Sequence, residues 1–551
     1  EQDFMLRELF PEALIANRDR FVLTVGIIMV IVACCSMACG ILSARCSAVA
    51  SQGFAKNLRA NLLGKIQDYS FANTDHFTTS SLITRATTDV NTVRNTMQQF
   101  LRTLIRSPFM VLMATVMAFT ISPHLAVIFL ISIPFLAGVL AILMKIGQPR
   151  FRKMLQKMDS MNRAVQENLI SSRVVKAYVR GDYESERFRG TAEDLRQATL
   201  SSSRLFTLTG PIQMTILWGC TIVLLLFGGR EIIFRTTGLL TGELVSLVSY
   251  TTQAVNALTM LTWLIMALSR AHASLVRINE VLDAPISLHE GKTTEAPEQG
   301  TVEFRDVSFR YPSSSGDVLE HVSFRANKGE TIAFIGATGS GKTTLVSLAA
   351  RFYDATEGQV LIDGQDVRSY SFDALYDRIG YVTQRAIVFA GDVRSNVLFG
   401  ESGAPQDDES VQRALSLAQA TEFVDKLPGK LDAPIAQAGA NVSGGQKQRL
   451  SIARALARKP EILIFDDSFS ALDYRTDASL RAGLARELSD TTCLIVAQRI
   501  GTIRHADRIV VLDEGRVAGI GTHDELMKNC GVYREIAMSQ LSAAELEKEG
   551  V

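Results

Sequence analysis

Residues 331–350 read TIAFIGATGSGKTTLVSLAA, a short apolar run followed by a glycine-rich turn and then by a helix-like pattern. Within it, residues 336–343 have the spacing G-x-x-x-x-G-K-T, which is that of a phosphate-binding loop. Glycines let consecutive backbone N–H groups curl around phosphate oxygens, because no Cβ atom stands in the way. The following helix directs the positive end of its dipole at the same anion. The stretch therefore predicts a strand, a phosphate-binding loop and a helix.

Two side chains at the end of this loop suit nucleotide chemistry. Lys342 can reach the terminal phosphates, and the hydroxyl of Thr343 can hold the Mg²⁺ that accompanies them. We expect ATP and Mg²⁺ as the bound cofactors.

Composition points to a membrane protein of more than one domain. The chain has 551 residues, compatible with two or three domains, and its 57 basic and 57 acidic residues give no reason to expect a nucleic-acid partner. The mean hydropathy of +0.15 is high for a soluble protein. The seven cysteines show no metal or disulfide spacing, which fits reduced thiols in membrane and core positions.

Five apolar segments are long enough, at about 20 residues, to cross the ~30 Å hydrocarbon core of a bilayer. They cover residues 21–46, 103–122, 125–146, 206–228 and 244–268. The second and third are separated only by Ser122-Pro123-His124, so they must form a hairpin. Residues 1–10 are interpreted as the outer end of a sixth membrane helix whose beginning is missing, because the chain starts with Glu1 rather than Met.

Two long basic stretches with helical periodicity lie between these segments. They cover residues 51–102 and 145–205, and we interpret each as two membrane helices that extend beyond the bilayer and meet in a short bend. The bends are predicted near residues 71–81 and 174–183. Their basic content places them on the cytoplasmic side, opposite the short loops at 122–124 and 230–242. The alternative, a separate soluble helical domain, fits the regular alternation of apolar and polar segments less well.

Four regions follow from this pattern. They are a transmembrane domain with cytoplasmic helical extensions (1–272), a linker that begins helical (273–300), an ATP-binding domain (301–540) and a C-terminal tail (541–551).

Further motifs follow in the second half. A strand-like segment at 301–309 precedes Tyr311, and residues 381–384 form a strand ending in Gln384. Residues 441–446, NVSGGQ, open a helix-like run to 456. The apolar strand 461–465 ends in Asp466 and Asp467, SALD follows at 470–473, and the strand 492–497 ends at Gln498.

In this order and spacing, the motifs resemble those of the ATPase domain of ABC transporters, for which SGGQ is highly specific. Six membrane helices ahead of one such domain are similar to the exporter-type (type IV) half-transporter, and the resemblance covers essentially the whole chain. It implies an all-α membrane domain, its first helix truncated here, followed by an α/β P-loop ATPase domain.

The resemblance also implies residue roles. Tyr311 would stack on adenine, and Gln384 would contact Mg²⁺ or water, while Asp466 and Thr343 would hold the Mg²⁺. The phosphates would be wrapped by Gly336, Ala337, Thr338, Gly339, Ser340, Gly341, Lys342, Thr343 and Thr344. The γ-phosphate of ATP bound to the opposite subunit would be clamped by Ser443, Gly444, Gly445 and Gln446. Two such domains, head to tail, would enclose two ATP molecules, and the two bends match the family's coupling helices.

Two residues depart from the family pattern. The catalytic glutamate after the Walker B aspartate is replaced by Asp467, whose carboxylate is about 1.5 Å shorter in reach. The switch histidine is replaced by Gln498, which carries no titratable charge. The chain therefore resembles the degenerate-site member of a heterodimeric exporter, and we expect a homologous partner with an intact Glu and His and an altered signature.

The leading hypothesis is a transport ATPase of the cell membrane, in bacteria the inner or plasma membrane, that exports an amphipathic or hydrophobic solute such as a drug or lipid. Few ionisable residues lie within the spans, so a strongly charged solute is not indicated. Two alternatives stay open: an importer of exporter shape, as for siderophores, and a regulatory or gating subunit that binds ATP without transporting.

Overall fold

The computed structural model describes residues 18–234, 238–312, 314–400 and 405–540. Its contacts divide the chain into two units. One comprises Glu1–Gln67 with Ser80–Asp283, and the other comprises Asp68–Thr79 with Ala284–Val551. The predicted outer end of a sixth membrane helix at 1–10 and the predicted tail at 541–551 lie outside the described residues.

The described residues of the first half of the chain form helices joined by short connections. Its helices are α1 (Arg18–Gln67), α2 (Phe71–Phe77), α3 (Thr79–Thr84), a π-helical turn (Arg85–Asp89), α4 (Val90–Ile121), α5 (Pro123–Ile170), α6 (Ser172–Ala177), α7 (Gly181–Phe234) and α8 (Thr241–Leu282). Five helical segments are long and apolar enough to cross a membrane, which confirms the five predicted spans.

The predicted hairpin at Ser122 is confirmed. Helix α4 ends at Ile121, and the Ser122 hydroxyl accepts a hydrogen bond from the backbone N–H of Leu125 at 3.4 Å, while Pro123 occupies the first turn of α5. Proline suits this position because its missing N–H would have no helical partner there. By contrast, the predicted loop start at residue 230 is wrong. Helix α7 continues to Phe234, since the sequence REIIF contains no helix-breaking residue.

The two predicted bends are present as the short helices α2 and α6. Helix α2 begins with a capping box, in which Ser70 and Asn73 satisfy each other's backbone N–H groups. The same two residues reach the chain after α8. The Ser70 and Ser287 hydroxyls lie 2.8 Å apart, and the Asn73 amide donates to the Pro285 carbonyl at 2.8 Å. Helix α2 thus belongs to the second unit, although in sequence it lies between two membrane spans.

The second unit is an α/β domain. Its strands are β1 (Val302–Phe309), β2 (Leu319–Ala326), β3 (Thr331–Gly336), β4 (Glu357–Ile362), β5 (Gln365–Asp366), β6 (Ile379–Val382), β7 (Gly391–Asp392), β8 (Pro434–Ile435), β9 (Ile462–Asp466), β10 (Thr492–Val496), β11 (Arg508–Asp513) and β12 (Arg516–Gly521). Its helices are α9 (Lys342–Ala349), α10 (Phe372–Arg378), α11 (Val393–Val397), α12 (Asp408–Leu417), α13 (Thr421–Asp425), α14 (Gly444–Ala457), α15 (Tyr474–Glu487), α16 (Ile500–Ile503), α17 (His523–Asn529) and α18 (Gly531–Gln540).

A six-stranded sheet of order β12-β11-β3-β10-β9-β6 forms the centre of this unit, and its inner pairs are parallel. Every residue of β9 and β10 is buried, as expected for parallel strands covered on both faces. A second, antiparallel sheet has the order β2-β1-β4-β5. Helix α8 extends to Leu282, so the predicted linker begins as a helix, as its sequence indicates.

Candidate functional site

Four neighbouring parallel strands bring the predicted site residues to one edge of the sheet. In the order β3, β10, β9 and β6, the strands end at Gly336, Val496, Asp466 and Val382. The loops that follow carry the phosphate-binding motif, Gln498, Asp467 and Gln384, respectively. Since the carboxyl ends of parallel strands share an edge, and open α/β sheets bind ligands there, these distant segments form one site.

The phosphate-binding loop has the backbone conformation that its glycines predict. Gly339 and Gly341 have φ values of +87° and +93°, which side chains rarely allow. A Cβ atom on Gly341 would lie 2.6 Å from Leu319 Cδ2, whereas one on Gly339 would meet no atom within 4 Å. The loop is therefore packed against the domain at Gly341 and open at Gly339, where an anion could approach the backbone.

Lys342 lies inside the loop, with 8% of its surface exposed. Its Nζ atom donates to the carbonyl oxygens of Gly336 at 2.9 Å and Ala337 at 2.8 Å, and it lies 3.4 Å from the Ser340 hydroxyl. Burial lowers the pKa of Lys342, while the nearby Asp467 and Asp466 oppose that shift. The hydrogen-bond partners of Nζ are thus two backbone carbonyls and one hydroxyl, all uncharged, and a phosphate group could replace them as the partner of this cation.

The carboxylate of Asp466 has a partner at each oxygen. The Thr343 hydroxyl donates to Oδ1 at 2.8 Å, and the Tyr381 hydroxyl lies 3.3 Å from Oδ2. Burial raises the pKa of Asp466, and both hydrogen bonds act in the opposite direction. A carboxylate beside a hydroxyl at the mouth of a phosphate-binding loop fits Mg²⁺, which prefers oxygen ligands shared with substrate phosphates. When bound, Mg²⁺ would neutralise phosphate charge, and Thr343 and Asp466 would hold it.

The side-chain amides of Gln384 and Gln498, two residues that the sequence predicts at this site, both contact Asp467. Gln498 Nε2 donates to Asp467 Oδ2 at 2.8 Å, and Gln384 Nε2 lies 3.3 Å from the same oxygen. Asp467 is 7% exposed, and burial raises its pKa, whereas the two amides and Lys342 lower it. Gln384, predicted to contact Mg²⁺ or water, thus contacts Asp467, the neighbour of Asp466, in this arrangement.

Tyr311 lies beside the first turn of the loop helix α9. Its hydroxyl is 3.0 Å from the Thr344 hydroxyl, and its ring packs edge-on against Phe309 and Tyr353, with centroids 4.8 Å and 5.2 Å away. Its ring is therefore packed beside the start of the phosphate-binding helix, and its stacking on adenine stays a prediction.

The signature residues form a helix start of their own. The Gln446 N–H donates to the Ser443 hydroxyl at 3.3 Å, and the Ser443 N–H donates to Gln446 Oε1 at 2.8 Å, which makes a capping box for α14. A Cβ atom on Gly444 would meet nothing within 4 Å. Within the described residues, the signature makes no hydrogen bond to the phosphate-binding loop of its own chain.

Several residues of this region have no role in the sequence-based prediction. Tyr381 contacts Asp466, and Phe352 and Tyr353 form an aromatic surface next to the site. Phe71 of α2 packs on that surface, 4.4 Å from Phe352, and Asp75 of α2 accepts a hydrogen bond from the Tyr353 hydroxyl at 2.7 Å. The sequence signal that could have revealed this surface is the aromatic pair Phe352-Tyr353, which follows shortly after helix α9.

Comparisons with known proteins agree with this architecture. Residues 3–258 match the ABC transporter transmembrane region, and residues 319–470 match the family described as ABC transporter. An uncharacterized ABC transporter ATP-binding protein of Bacillus subtilis, YfiB, is 37% identical over 98% of this chain and 93% of its own length. The probable multidrug resistance ABC transporter ATP-binding/permease protein YheI of Bacillus subtilis is 34% identical over 87% of this chain and 82% of its own length.

A solved structure shares the fold. The structure of a bacterial Atm1-family ABC exporter with ATP bound superposes with a TM-score of 0.78, covering 98% of this chain and 95% of that one at 23% identity. With fold, motif geometry and relatives in agreement, the chain belongs to the ABC transporter family and joins a membrane-spanning region to an ATPase domain in one exporter-type polypeptide.

Proposed function

We propose that this chain is one subunit of a heterodimeric, ATP-driven exporter that moves amphipathic or hydrophobic solutes out of the cytosol. In this proposal its own nucleotide site binds ATP and Mg²⁺ but hydrolyses ATP poorly, and turnover takes place at the Walker motifs of a homologous partner. The observation that carries the proposal is Asp467, whose Oδ2 atom is bound by the amides of both Gln498 and Gln384.

Two physical effects make Asp467 a weak catalytic base. Its carboxylate is one methylene shorter than that of glutamate, and a misplacement of about 1 Å can cost roughly 100-fold in rate. Hydrogen bonds donated to a carboxylate favour its charged form and so reduce its basicity. Gln498 adds such a bond and, unlike histidine, brings no titratable charge to the transferred phosphate.

The rest of the site retains its binding groups. In this proposal Lys342 holds the phosphates, and Thr343 and Asp466 hold the Mg²⁺; the position of Lys342 inside the loop and the Thr343–Asp466 hydrogen bond support these roles. The signature helix begins with a complete capping box and an open glycine at Gly444, which suits it to meet the γ-phosphate of a nucleotide held by another subunit. Binding groups kept beside an impaired base support a division of labour between two different subunits.

The membrane unit supports an apolar solute. A cavity of about 400 Å³ lies among α4, α5 and α8, and its lining has one polar side chain, Thr115, among the apolar ones. Pro108, Leu112, Phe129 and Leu258 are among those apolar residues. The relative named as a probable multidrug resistance transporter is consistent with a solute of this class.

The decisive experiment compares two isosteric substitutions in the assembled pair. Asp467→Asn in this chain should leave the ATPase rate within about twofold of the unchanged pair, because little turnover depends on this carboxylate. The partner's catalytic Glu→Gln should lower the rate by about 100-fold or more. The exposed Asp513→Asn, on the same sheet, controls for substitution as such. Comparable losses from the first two changes would show that both sites hydrolyse ATP.

Direction and coupling are measured with the same pair. Inside-out membrane vesicles should accumulate a hydrophobic fluorescent dye only when ATP is supplied. Efflux from the vesicles under the same conditions would indicate import, and ATP turnover without any dye movement or dye stimulation would indicate a regulatory subunit.

A further inference from the structure

Tyr381 contacts the metal-binding carboxylate from the neighbouring strand. It lies on β6, where it pairs in register with Ile464 of β9, two residues before Asp466. Its hydroxyl is 3.3 Å from Asp466 Oδ2. This distance exceeds the usual 2.5–3.0 Å of an O–H···O bond, and hydrogen bonds at active sites commonly tighten once substrate is bound.

The two oxygens of Asp466 depend on different residues. Oδ1 accepts from Thr343, which itself faces the phosphate and metal position, and Oδ2 faces Tyr381. The terminal torsion of an aspartate is broad, so one hydrogen bond leaves the plane of its carboxylate poorly defined. A second bond to the other oxygen fixes that plane. Mg²⁺ requires this precision, because it accepts only near-ideal octahedral geometry.

The ring of Tyr381 is itself held in place. Phe352 packs against it with centroids 4.9 Å apart, and Phe352 in turn contacts Phe71 of α2 at 4.4 Å. The position of the Tyr381 ring therefore depends on a packed aromatic neighbour, and its hydroxyl, which also interacts with the Ser347 side chain, is held next to Asp466.

We propose that Tyr381 is a positioning residue for Mg²⁺ binding, because its hydroxyl orients the carboxylate of Asp466 toward the metal of a bound nucleotide. The residue touches neither the nucleotide nor the metal, so its effect is confined to the Mg²⁺-dependent part of binding. This inference applies whether the partner subunit is identical or different.

The test uses Tyr381→Phe in the full chain in lipid nanodiscs, with a fluorescent ATP analogue as the probe. Affinity in EDTA should stay within about twofold of the unchanged protein. The Mg²⁺ concentration that gives half of the metal-dependent gain in affinity should rise about tenfold, the lower end of the loss seen when an outer-shell partner of a metal ligand is removed. Mn²⁺ bound in the presence of ATP, followed by electron paramagnetic resonance, should fall in parallel.

Tyr370→Phe is the matched control, because it removes the hydroxyl of another tyrosine of this unit, one that is buried and donates to the Ile362 carbonyl at 2.9 Å. It should leave the Mg²⁺ dependence unchanged. The proposal fails if Tyr381→Phe behaves like this control, or if it weakens binding equally with and without Mg²⁺. Should Tyr381→Phe not fold, Phe352→Leu decides: it keeps the hydroxyl but frees the ring, so a shifted Mg²⁺ dependence supports the proposal and an unshifted one overturns it.

Discussion

Gln498 donates a hydrogen bond to Asp467, with 2.8 Å between Nε2 and Oδ2. The two residues lie just after the ends of adjacent strands β9 and β10, at the positions for which the resemblance to exporters predicts glutamate and histidine. The two residues that depart from the family pattern therefore contact each other, so we expect their effects on ATP hydrolysis to depend on one another.

The first prediction is that changing both residues restores hydrolysis at this site more fully than changing either one. In a pair whose partner carries the catalytic Glu→Gln change, Asp467→Glu combined with Gln498→His should raise the ATPase rate by about tenfold or more. Longer reach returns the carboxylate to the attacking water, and histidine removes the amide that engages Asp467. Asp467→Glu alone should recover less, since Gln498 stays bonded to the carboxylate. A double variant as inactive as its parent would show that another residue limits hydrolysis.

The sequence predicts most of this site because its residues follow buried parallel strands. Asp466, Gln384 and Gln498 are far apart in the chain. Asp466 ends one such strand, Gln384 and Gln498 each lie two residues beyond the end of another, and sheet order places those ends together. The motifs are therefore sufficient to predict that these residues meet at one edge of the sheet, because the backbone of the strands, and not side-chain packing, brings them together.

The contacts that sequence reasoning missed depend on side-chain packing between segments. Phe71, Phe352 and Tyr381 come from three separate segments, and each is an ordinary apolar or aromatic residue in its local pattern. Their meeting follows from tertiary packing, for which helical or strand periodicity carries no signal. The predicted domain bounds place α2 in the membrane domain, because in the chain it lies between two spans, whereas the resemblance to coupling helices predicts that it docks onto an ATPase domain, and its contacts put it in the second unit.

The second prediction concerns the bond between Tyr353 and Asp75. The Tyr353 hydroxyl donates to Asp75 Oδ2 at 2.7 Å, and it secures α2 to the ATPase unit together with Phe71. Because Asp75 is exposed, we expect the bond to contribute about 1 kcal/mol. Tyr353→Phe should therefore speed amide hydrogen exchange in α2 by about fivefold, which mass spectrometry of the corresponding peptides would detect.

Asp75→Asn serves as the second arm of this test. If the two side chains act through one bond, each single change should have a similar effect, and the double variant should exchange little faster than either. Effects that add fully would mean that the two residues stabilise α2 independently.

The third prediction concerns an ion pair in the membrane unit. Asp89, 2% exposed at the end of the π-helical turn, accepts hydrogen bonds from the Ser274 hydroxyl at 2.8 Å and from Arg277 Nε at 2.9 Å. Removing one member of a buried pair leaves the other without compensation. Since Arg277 is half-exposed, Asp89→Ala should cost about 2 kcal/mol and lower the apparent Tm in detergent. Glu186→Gln, which breaks the exposed pair with Arg189, should change it little.

The fourth prediction is a pH dependence of stability that arises from Asp363. This side chain is fully buried, accepts from the Thr301 N–H at 2.9 Å and contacts Arg378 Nε at 3.2 Å. Burial, together with the negative charge of Glu461, raises the pKa of Asp363 to about 6. Unfolded aspartate titrates near 3.9, so the folded state binds more protons between these values. Its contribution to stability is thus complete below pH 4 and is lost as the pH rises through 6, by at most about 3 kcal/mol.

Glu461→Gln isolates this effect from other carboxylates that titrate in the same range. The change removes a negative charge next to Asp363, so the pKa of Asp363 should move toward its ordinary value. The Tm of the variant should then exceed that of the unchanged protein at pH 7, and by less at pH 4.5, in scans at matched ionic strength.

Glu422→Gln provides the opposite case, because the hydrogen bond from Lys426 lowers the pKa of Glu422. Its removal should cost stability at pH 7 and less at pH 4.5, and a Glu461→Gln difference that is constant with pH would contradict the assignment to Asp363.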